Sequence, residues 1–174
     1  MNQHKPELKE FAALSSAALT ESFNHGYAKI DARVLQLTDV QLDRTFAKDS
    51  VAGEWSCRLL LGHLADAEIA FSHRMRRVAG EDKPALAAWD ENEFITKGLY
   101  SALSASDSVD LIRSVRQWTG AWLRTLSQAQ FDRTGQHPQR GEQSLHTILA
   151  YDTWHLEHHC WFLDRKLEQI YSAT

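Results

Sequence analysis

The feature that most constrains this chain is a spacing of apolar residues by three and four that recurs along most of its length. Such spacing places the apolar side chains on one face of an α-helix. Residues that break helices are scarce, with three Pro and eight Gly in 174 residues, and they mostly fall outside the periodic stretches. The sequence therefore predicts a structure built from long helices.

Two periodic stretches lie in the first half of the chain. The first runs from Leu8 to about Leu37 and predicts one continuous helix. The second follows Ser56, which stands where an N-cap is expected, and it ends near Gly80. After Gly80 comes the segment GEDKPALAAWDENEF, which predicts a loop because it contains helix-breaking residues and many charges.

Two further helices are predicted in the second half. The third is capped by Asp107 or Ser108 and ends before Gly135. The segment GQHPQRGEQS predicts a turn-rich connector that ends in Ser144, the cap of the last helix. Since no stretch alternates as a strand does, the pattern predicts an all-α fold, a four-helix bundle in a single domain over residues 1–174.

Charge and composition exclude several classes of partner. Nineteen Lys and Arg against 23 Asp and Glu leave a net charge of -4, without the basic field that nucleic acid or anionic lipid requires. The sequence begins without the apolar core of a signal peptide, and no later stretch has the roughly 18 apolar residues of a membrane span. Two cysteines are too few for a disulfide framework, so the sequence predicts a cytoplasmic protein with reduced thiols.

Polar residues interrupt the apolar face of the last helix. Asp152, His155 and His159 stand where helical packing calls for apolar side chains. Burying a polar group without a partner costs roughly 1 to 3 kcal/mol, so polar residues on successive turns need compensation. The pattern indicates a site within the bundle.

The two histidines of this face have a spacing that suits a metal. His155 and His159 are four residues apart, which brings their Cβ atoms to about 5 to 6 Å on one helix face. A catalytic zinc-type site has three protein ligands and one open position. His63 is our candidate for the third ligand, because it interrupts an apolar face of the second helix beside Gly62, which permits close approach of a neighbour. A pair of core histidines that are hydrogen-bonded within the protein is an equally common explanation of such spacing.

Other polar residues are assigned lesser roles. Glu157 follows His155 by two residues, not one as in a metalloprotease HExxH helix, so it should point away from the ligand pair and not act as a general base. His158 is rotated by about 100° from His159 and suits solvent or an interface. We expect Cys160 to be a packed thiol. No role is assigned to the remaining histidines, His4, His25, His73, His137 and His146, the first two and His137 being expected at termini or on the surface.

The chain resembles the DinB-like superfamily of bacterial proteins, including its YfiT-like members. The resemblance is carried by EWSCRLLLGHLADAE, by GEDKPALAAWDENEF and by the terminal YDTWHLEHHCWFLDRKL. It implies an up-down-down-up four-helix bundle, commonly a homodimer, that binds one divalent metal ion, zinc, nickel or iron. The ligands that it implies are one His of the second helix and two of the last, here His63, His155 and His159.

Three functions are compatible with such a site. Because three neutral ligands leave the ion its full charge, a bound thiol or water would have a strongly lowered pKa. Similarity to the superfamily favours an enzyme that activates a low-molecular-weight thiol for transfer to a small electrophile. The alternatives are a hydrolase using metal-bound hydroxide, with Asp66, Glu68 or Asp152 as candidate bases, and a non-catalytic metal-binding stress-response protein. Trp89 and Phe94, in the loop after the second helix, are candidates for a pocket wall, and an ordinary surface loop is an equally common interpretation of this segment.

Overall fold

The structure, a computed structural model, describes residues 4–172 and is mostly helical. Its α-helices are α1 (Leu8–Ala12), α2 (Ser16–Gly26), α3 (Asp39–Leu42), α4 (Cys57–Gly80), α5 (Glu91–Thr96), α6 (Ala105–Leu123), α7 (Gln128–Phe131) and α8 (Leu145–Tyr171). Two 3₁₀ turns, Tyr27–Lys29 and Ala32–Gln36, follow α2, and strands β1 (Thr134–His137) and β2 (Gly141–Ser144) precede α8. Within residues 4–172 no helix is both long enough and apolar enough to cross a membrane.

Helices α2, α4, α6 and α8 form the bundle, in which α4 and α2 each pack against both α6 and α8. Two contacts in each helix pair show the relative directions of the helices. The contacts of α4 are His63–His159 and Phe71–Tyr151 with α8, and Glu68–Arg116 and Ser72–Thr119 with α6. The contacts of α2 are Phe23–Arg116 and Glu21–Arg124 with α6, and Ser16–His146 and Ser22–Glu157 with α8. Residue numbers rise together between α4 and α6 and between α2 and α8, and oppose one another in the other two pairs. The predicted four-helix bundle with up-down-down-up topology is therefore confirmed.

The prediction of one helix from Leu8 to Leu37 is wrong. The chain breaks twice in this stretch, and at each break a polar side chain takes up the backbone donors that a continuing helix would have paired. The Ser15 hydroxyl accepts the N–H of Ala18, and the Asp31 carboxylate accepts the N–H of Arg33. Local capping outcompetes the regular apolar spacing, and the chain turns to follow the bundle.

The second half also differs from prediction in detail. The third bundle helix starts at Ala105, capped by Ser104, not at Asp107 or Ser108, and its last residue is Leu123. The expectation of no strand is wrong, because residues 134–144 form an antiparallel hairpin whose turn is permitted by Gly141 at φ 72°. The predicted caps Ser56 and Ser144 are confirmed, since each hydroxyl accepts the N–H three residues ahead.

The bundle interior has two apolar clusters, one toward each end. One cluster includes Leu60, Leu64 and Leu163, and the other includes Phe71 and Leu149. The clusters meet at a level where α4, α6 and α8 bury charged residues, and the histidine face of α8 begins one turn further along. The fold thus places polar groups of α4 and α8 at the middle of the bundle.

Candidate metal centre

The three histidines predicted as ligands lie together. His63 comes from α4, and His155 and His159 come from successive turns of α8. One ring nitrogen of each lies within 4.8 Å of the others, and the Nε2 atoms of His63 and His155 are 3.0 Å apart. The antiparallel pairing of α4 with α8 produces this convergence, because it faces one histidine toward an i, i+4 pair.

Burial keeps these imidazoles neutral. His63 is 4% exposed and His155 is 9% exposed. Burial, together with the neighbouring imidazoles, lowers the pKa of His159 to about 3 and that of His155 well below its ordinary value. The pKa of His63 falls to about 4, again because burial disfavours the charged ring, although Glu91 acts in the opposite direction. At neutral pH all three rings therefore carry lone pairs available to a cation.

The hydrogen bonds of the cluster are incomplete. The Nδ1 atoms of His63 and His159 are buried without a partner among the described residues. A divalent ion bound at 2.0 to 2.1 Å in tetrahedral geometry has its ligand nitrogens roughly 3.3 Å apart, close to the separation of the two Nε2 atoms. Three neutral nitrogen donors, mutually close and short of partners, fit a zinc-class ion.

Each imidazole is stacked on an aromatic ring. Trp55 lies parallel to His159 at a centroid distance of 6.0 Å, Trp89 lies parallel to His63 at 5.7 Å, and Tyr151 lies nearly parallel to His155 at 6.1 Å. These rings pack against the imidazoles and restrict their orientation. The interpretation that the loop after α4 forms a pocket wall is confirmed for Trp89, which lies over His63.

Two cavities adjoin the centre from different sides. A cavity of about 160 Å³ is lined by two of the three histidines together with mostly polar residues, namely His63, His155, Phe71, Arg74, Trp89, Glu91, His137, Gln139, Arg140 and Tyr151. A second cavity, of about 190 Å³, is more apolar and touches the third histidine, with Trp55, Leu60, His159, Phe162 and Lys166 among its lining. Small molecules can therefore approach the imidazoles.

Two residues that support the site have distinct roles. Gly62 confirms the predicted close approach, since a Cβ there would lie 2.6 Å from the Tyr100 ring. Lys166, which the sequence reasoning missed, is 1% exposed and donates from Nζ to the carbonyls of Ala52 and Gly53 at 2.6 and 3.1 Å. Lys166 thereby anchors the segment that carries Trp55. The sequence signal that could have identified Lys166 is its position as a charged residue on the apolar face of α8.

The carboxylates proposed as bases lie elsewhere. Glu68 and Asp152 are buried against Arg116, whose Nε donates to Glu68 Oε1 at 2.7 Å and whose Nη2 lies 3.6 Å from Asp152 Oδ1. Glu157 is paired with Lys29 at 2.5 Å, as expected for a residue outside the ligand set. The carboxylate that does line the polar cavity is Glu91, which the sequence reasoning missed because α5 was predicted as loop.

The remaining histidines and cysteines mostly follow the prediction. His158 is half-buried against Trp154 and does not join the ligand cluster. His137 is a correction, because it is 4% exposed and lines the polar cavity although a surface position was expected. Cys57 and Cys160 are both buried and free, and burial raises the pKa of Cys160 to about 12, consistent with packed thiols.

Sequence and structure comparisons agree with this picture. Residues 7–163 match the family model described as the DinB superfamily. A Bacillus subtilis protein named "Putative metal-dependent hydrolase YfiT" is 32% identical over 134 residues, 76% of this chain and 72% of that protein. A relative from Oceanobacillus iheyensis, whose name carries the same description, is 29% identical over 126 residues, 72% of this chain and 70% of its own length.

A solved structure is similar over nearly the whole chain. YfiT from Bacillus subtilis, described as "a probable metal-dependent hydrolase with an unusual four-helix bundle topology", superposes with a TM-score of 0.80 at 25% identity. The match covers 97% of this chain and 94% of that one. The arrangement of helices described above is therefore shared with a solved protein.

Proposed function

The chain belongs to the DinB superfamily, and we propose that it is a metal-dependent enzyme whose ligands are His63, His155 and His159. One observation carries this proposal: three neutral imidazoles from two helices converge beside cavities, and no carboxylate of residues 4–172 joins the cluster. The names of relatives that contain "metal-dependent hydrolase" support it. Three imidazoles suit zinc, nickel or iron.

The chemistry proposed first is activation of a small thiol. When bound, a divalent ion held by neutral ligands lowers the pKa of a thiol or water at its open position. The sulfur then forms a bond to an electrophilic carbon, the leaving group departs with the bonding electrons, and the thiol proton passes to solvent. The chain contributes the orientation of the ligands, through Trp55 and Trp89 stacked on His159 and His63.

Hydrolysis is the second candidate, and one observation favours it. Glu91 lines the polar cavity beside His63 and is half-buried, so its carboxylate is placed to accept a proton from an attacking water. The bases considered from sequence are less suited, because Asp66, Glu68 and Asp152 are all outside the lining of this cavity. Asp66 lies near Tyr100, and Arg116 holds Glu68 and Asp152 in the bundle centre.

A turnover experiment separates these candidates. Zinc-, nickel- and iron-loaded protein is offered glutathione, bacillithiol or mycothiol with a panel of small electrophiles, and separately a panel of esters and amides without thiol. Thiol-dependent turnover that is lost in His155→Ala and kept in His158→Ala supports thiol transfer. Thiol-independent cleavage that Glu91→Gln abolishes supports hydrolysis, and no turnover above His155→Ala on either panel contradicts both.

A non-catalytic role is the third alternative. It predicts that the metal is bound with a coordination sphere closed to exogenous ligands, so that azide or a small thiol leaves the spectrum of the cobalt-loaded protein unchanged. The cavities on two sides of the histidines argue for an open sphere.

A further inference from the structure

The polar cavity beside the histidines contains a buried guanidinium without an acidic partner. Arg74, on α4 three turns after His63, is 5% exposed, and its Nε and Nη2 both donate to the Ala87 carbonyl, at 3.0 and 2.6 Å. Among residues 4–172 no carboxylate lies within ion-pair distance of Arg74. The guanidinium also lies 5.2 Å from the centre of the Phe71 ring. A buried charge compensated by one carbonyl and one aromatic ring is costly, and its remaining donors are available to a ligand.

His137 supplies a second buried donor to the same cavity. This residue is 4% exposed, and its Nδ1 accepts the backbone N–H groups of Gln139 at 3.2 Å and Arg140 at 3.3 Å. Because Nδ1 is the acceptor, the ring proton of the neutral form is on Nε2. That N–H has no partner among the described residues, so the hairpin fixes a free donor in the lining of the cavity.

A third donor comes from the tip of the hairpin. The Arg140 guanidinium lies 4.2 Å from the centre of the Tyr151 ring and donates to the Tyr151 hydroxyl at 3.1 Å. Tyr151 in turn stacks on His155, so this cation is tied to the metal-ligand cluster. Glu91 is the acidic residue of the cavity lining, which leaves the two arginines with a net charge of +1 in the lining itself.

We propose that Arg74, His137 and Arg140 form an anion subsite that binds a carboxylate of the small-molecule substrate while its reacting group lies at the histidines. A carboxylate matches these donors because it accepts several hydrogen bonds and balances one positive charge. The cavity of about 160 Å³ holds about five waters at roughly 30 Å³ each, so the acid-bearing arm is short. The subsite is a specificity device that rests on the proposed function.

The test compares a thiol acid with its own ester on the full-length, cobalt-loaded protein. 3-Mercaptopropionate and methyl 3-mercaptopropionate are titrated while thiolate-to-cobalt charge-transfer absorption reports binding without any turnover. We expect the ratio of acid affinity to ester affinity to be at least about tenfold larger in the wild type than in Arg74→Gln. Comparing the acid-to-ester ratio between proteins cancels the intrinsic difference between the two thiols.

Matched variants separate charge recognition from loss of fold. Arg76→Gln, on the same helix but with its guanidinium over the exposed Trp118 ring, should keep the wild-type ratio. Arg74→Lys should keep part of the preference, because it retains the charge, and His137→Phe should reduce it about threefold or more.

The outcomes distinguish the subsite from the proposed function. Equal binding of acid and ester in the wild type, or an acid preference that persists in Arg74→Gln, overturns the subsite while thiol activation stands. Absence of a spectral change with either thiol overturns both the subsite and the proposed thiol chemistry.

Discussion

Helices α4 and α8 bury two polar clusters that differ in how their charge is balanced. In the central cluster, Arg116 bonds Glu68 through Nε and the Asp152 carbonyl through Nη2, so the cation finds its partners within the chain. In the histidine cluster, His63 and His155 approach to 3.0 Å with no charged partner between them. We call the first cluster closed, because its charges are balanced within the chain. We call the second cluster open, because a ligand or ion can bind there.

This difference distinguishes buried polar residues that stabilise the fold from buried polar residues that bind a ligand. Burial raises the pKa of Glu68 and of Asp152, so one of the two carboxyls is expected to hold a proton and leave a neutral assembly with Arg116. Such a cluster needs no ligand. Glu68 Oε2 and both Asp152 carboxyl oxygens are buried without a hydrogen-bond partner among the described residues, as is Nδ1 of His63 and of His159, so unpartnered atoms do not distinguish the two clusters. The histidines differ because their lone pairs face one another and cavities adjoin them, and these features indicate a binding site.

Acid should separate the two clusters most strongly. The native histidines have depressed pKa values, about 4 for His63 against an ordinary 6.5, so the unfolded chain takes up protons first as the pH falls. The free energy of unfolding of metal-free protein should therefore drop below pH 6.5, by up to about 1.4 kcal/mol per pH unit for each buried histidine. Glu68 and Asp152 act oppositely, since raised pKa values give stability that is present at low pH and lost as pH rises.

Urea unfolding at pH 7, 6, 5 and 4 measures this dependence. His155→Leu should reduce the slope by about one proton, whereas His73→Leu, at an exposed position of α4, should leave the buried contribution in place. A pH dependence of the free energy of unfolding that is the same in the wild type and in His155→Leu between pH 6.5 and 4 would mean that His155 is not held neutral by burial.

Removing the cation of the closed cluster should have the next largest effect. Arg116→Met leaves the Glu68 carboxyl and the carbonyls of Phe23 and Asp152 without their donor, and should destabilise the protein by about 3 to 5 kcal/mol. Arg113→Met is the matched control, because Arg113 pairs with Asp110 on the surface and should cost less than about 0.5 kcal/mol. Chemical denaturation gives both values, and equal costs would contradict a structural role for Arg116.

Substitution in the open cluster should affect metal binding more than folding. In His155→Leu the side-chain volume is nearly conserved, so the metal-free protein should change by less than about 1.5 kcal/mol. Metal at 100 times its Kd should stabilise the wild type by about 2.7 kcal/mol and the variant hardly at all. Thermal melts with and without zinc test this, with His158→Leu expected to behave as wild type. A zinc response that survives in His155→Leu would remove this residue from the ligand set.

A smaller effect is expected at the anchor of the Trp55 segment. Lys166→Met keeps the apolar stem but withdraws the donor from the Ala52 and Gly53 carbonyls, which should cost about 1 to 2 kcal/mol. Because Trp55 stacks on His159, zinc affinity should also fall by a few fold. Urea unfolding and zinc titration measure the two losses. Lys9→Met, at an exposed position, is the control, and unchanged zinc affinity in Lys166→Met would uncouple the segment from the site.

Residue spacing along helices predicted the bundle and the proximity of His155 to His159. The choice of His63 depended on its place in an apolar face and on the resemblance to the DinB-like superfamily, and the up-down-down-up order depended on that resemblance alone. Ser56 and Ser144 set the starts of α4 and α8 locally, so the frame of the site was predictable. The polar cavity was not predictable from residue spacing. His137 is brought to it by a hairpin that periodicity does not predict.

The breaks in the first stretch escaped prediction for a related reason. Its apolar residues keep helical spacing across Ser15 and Asp31, although these side chains bond to the backbone and end the regular structure there. Glu91 was missed because its place beside His63 depends on how the chain folds back after α4, a tertiary contact without a local signature.

The most direct test of the account is anomalous diffraction at the metal edge from crystals of the metal-loaded protein. We expect one peak per chain at about 2.0 to 2.2 Å from one ring nitrogen each of His63, His155 and His159, with a further position facing a cavity. A peak bound by other residues, or full metal loading of a triple variant in which all three histidines are replaced by leucine, would contradict the central claim.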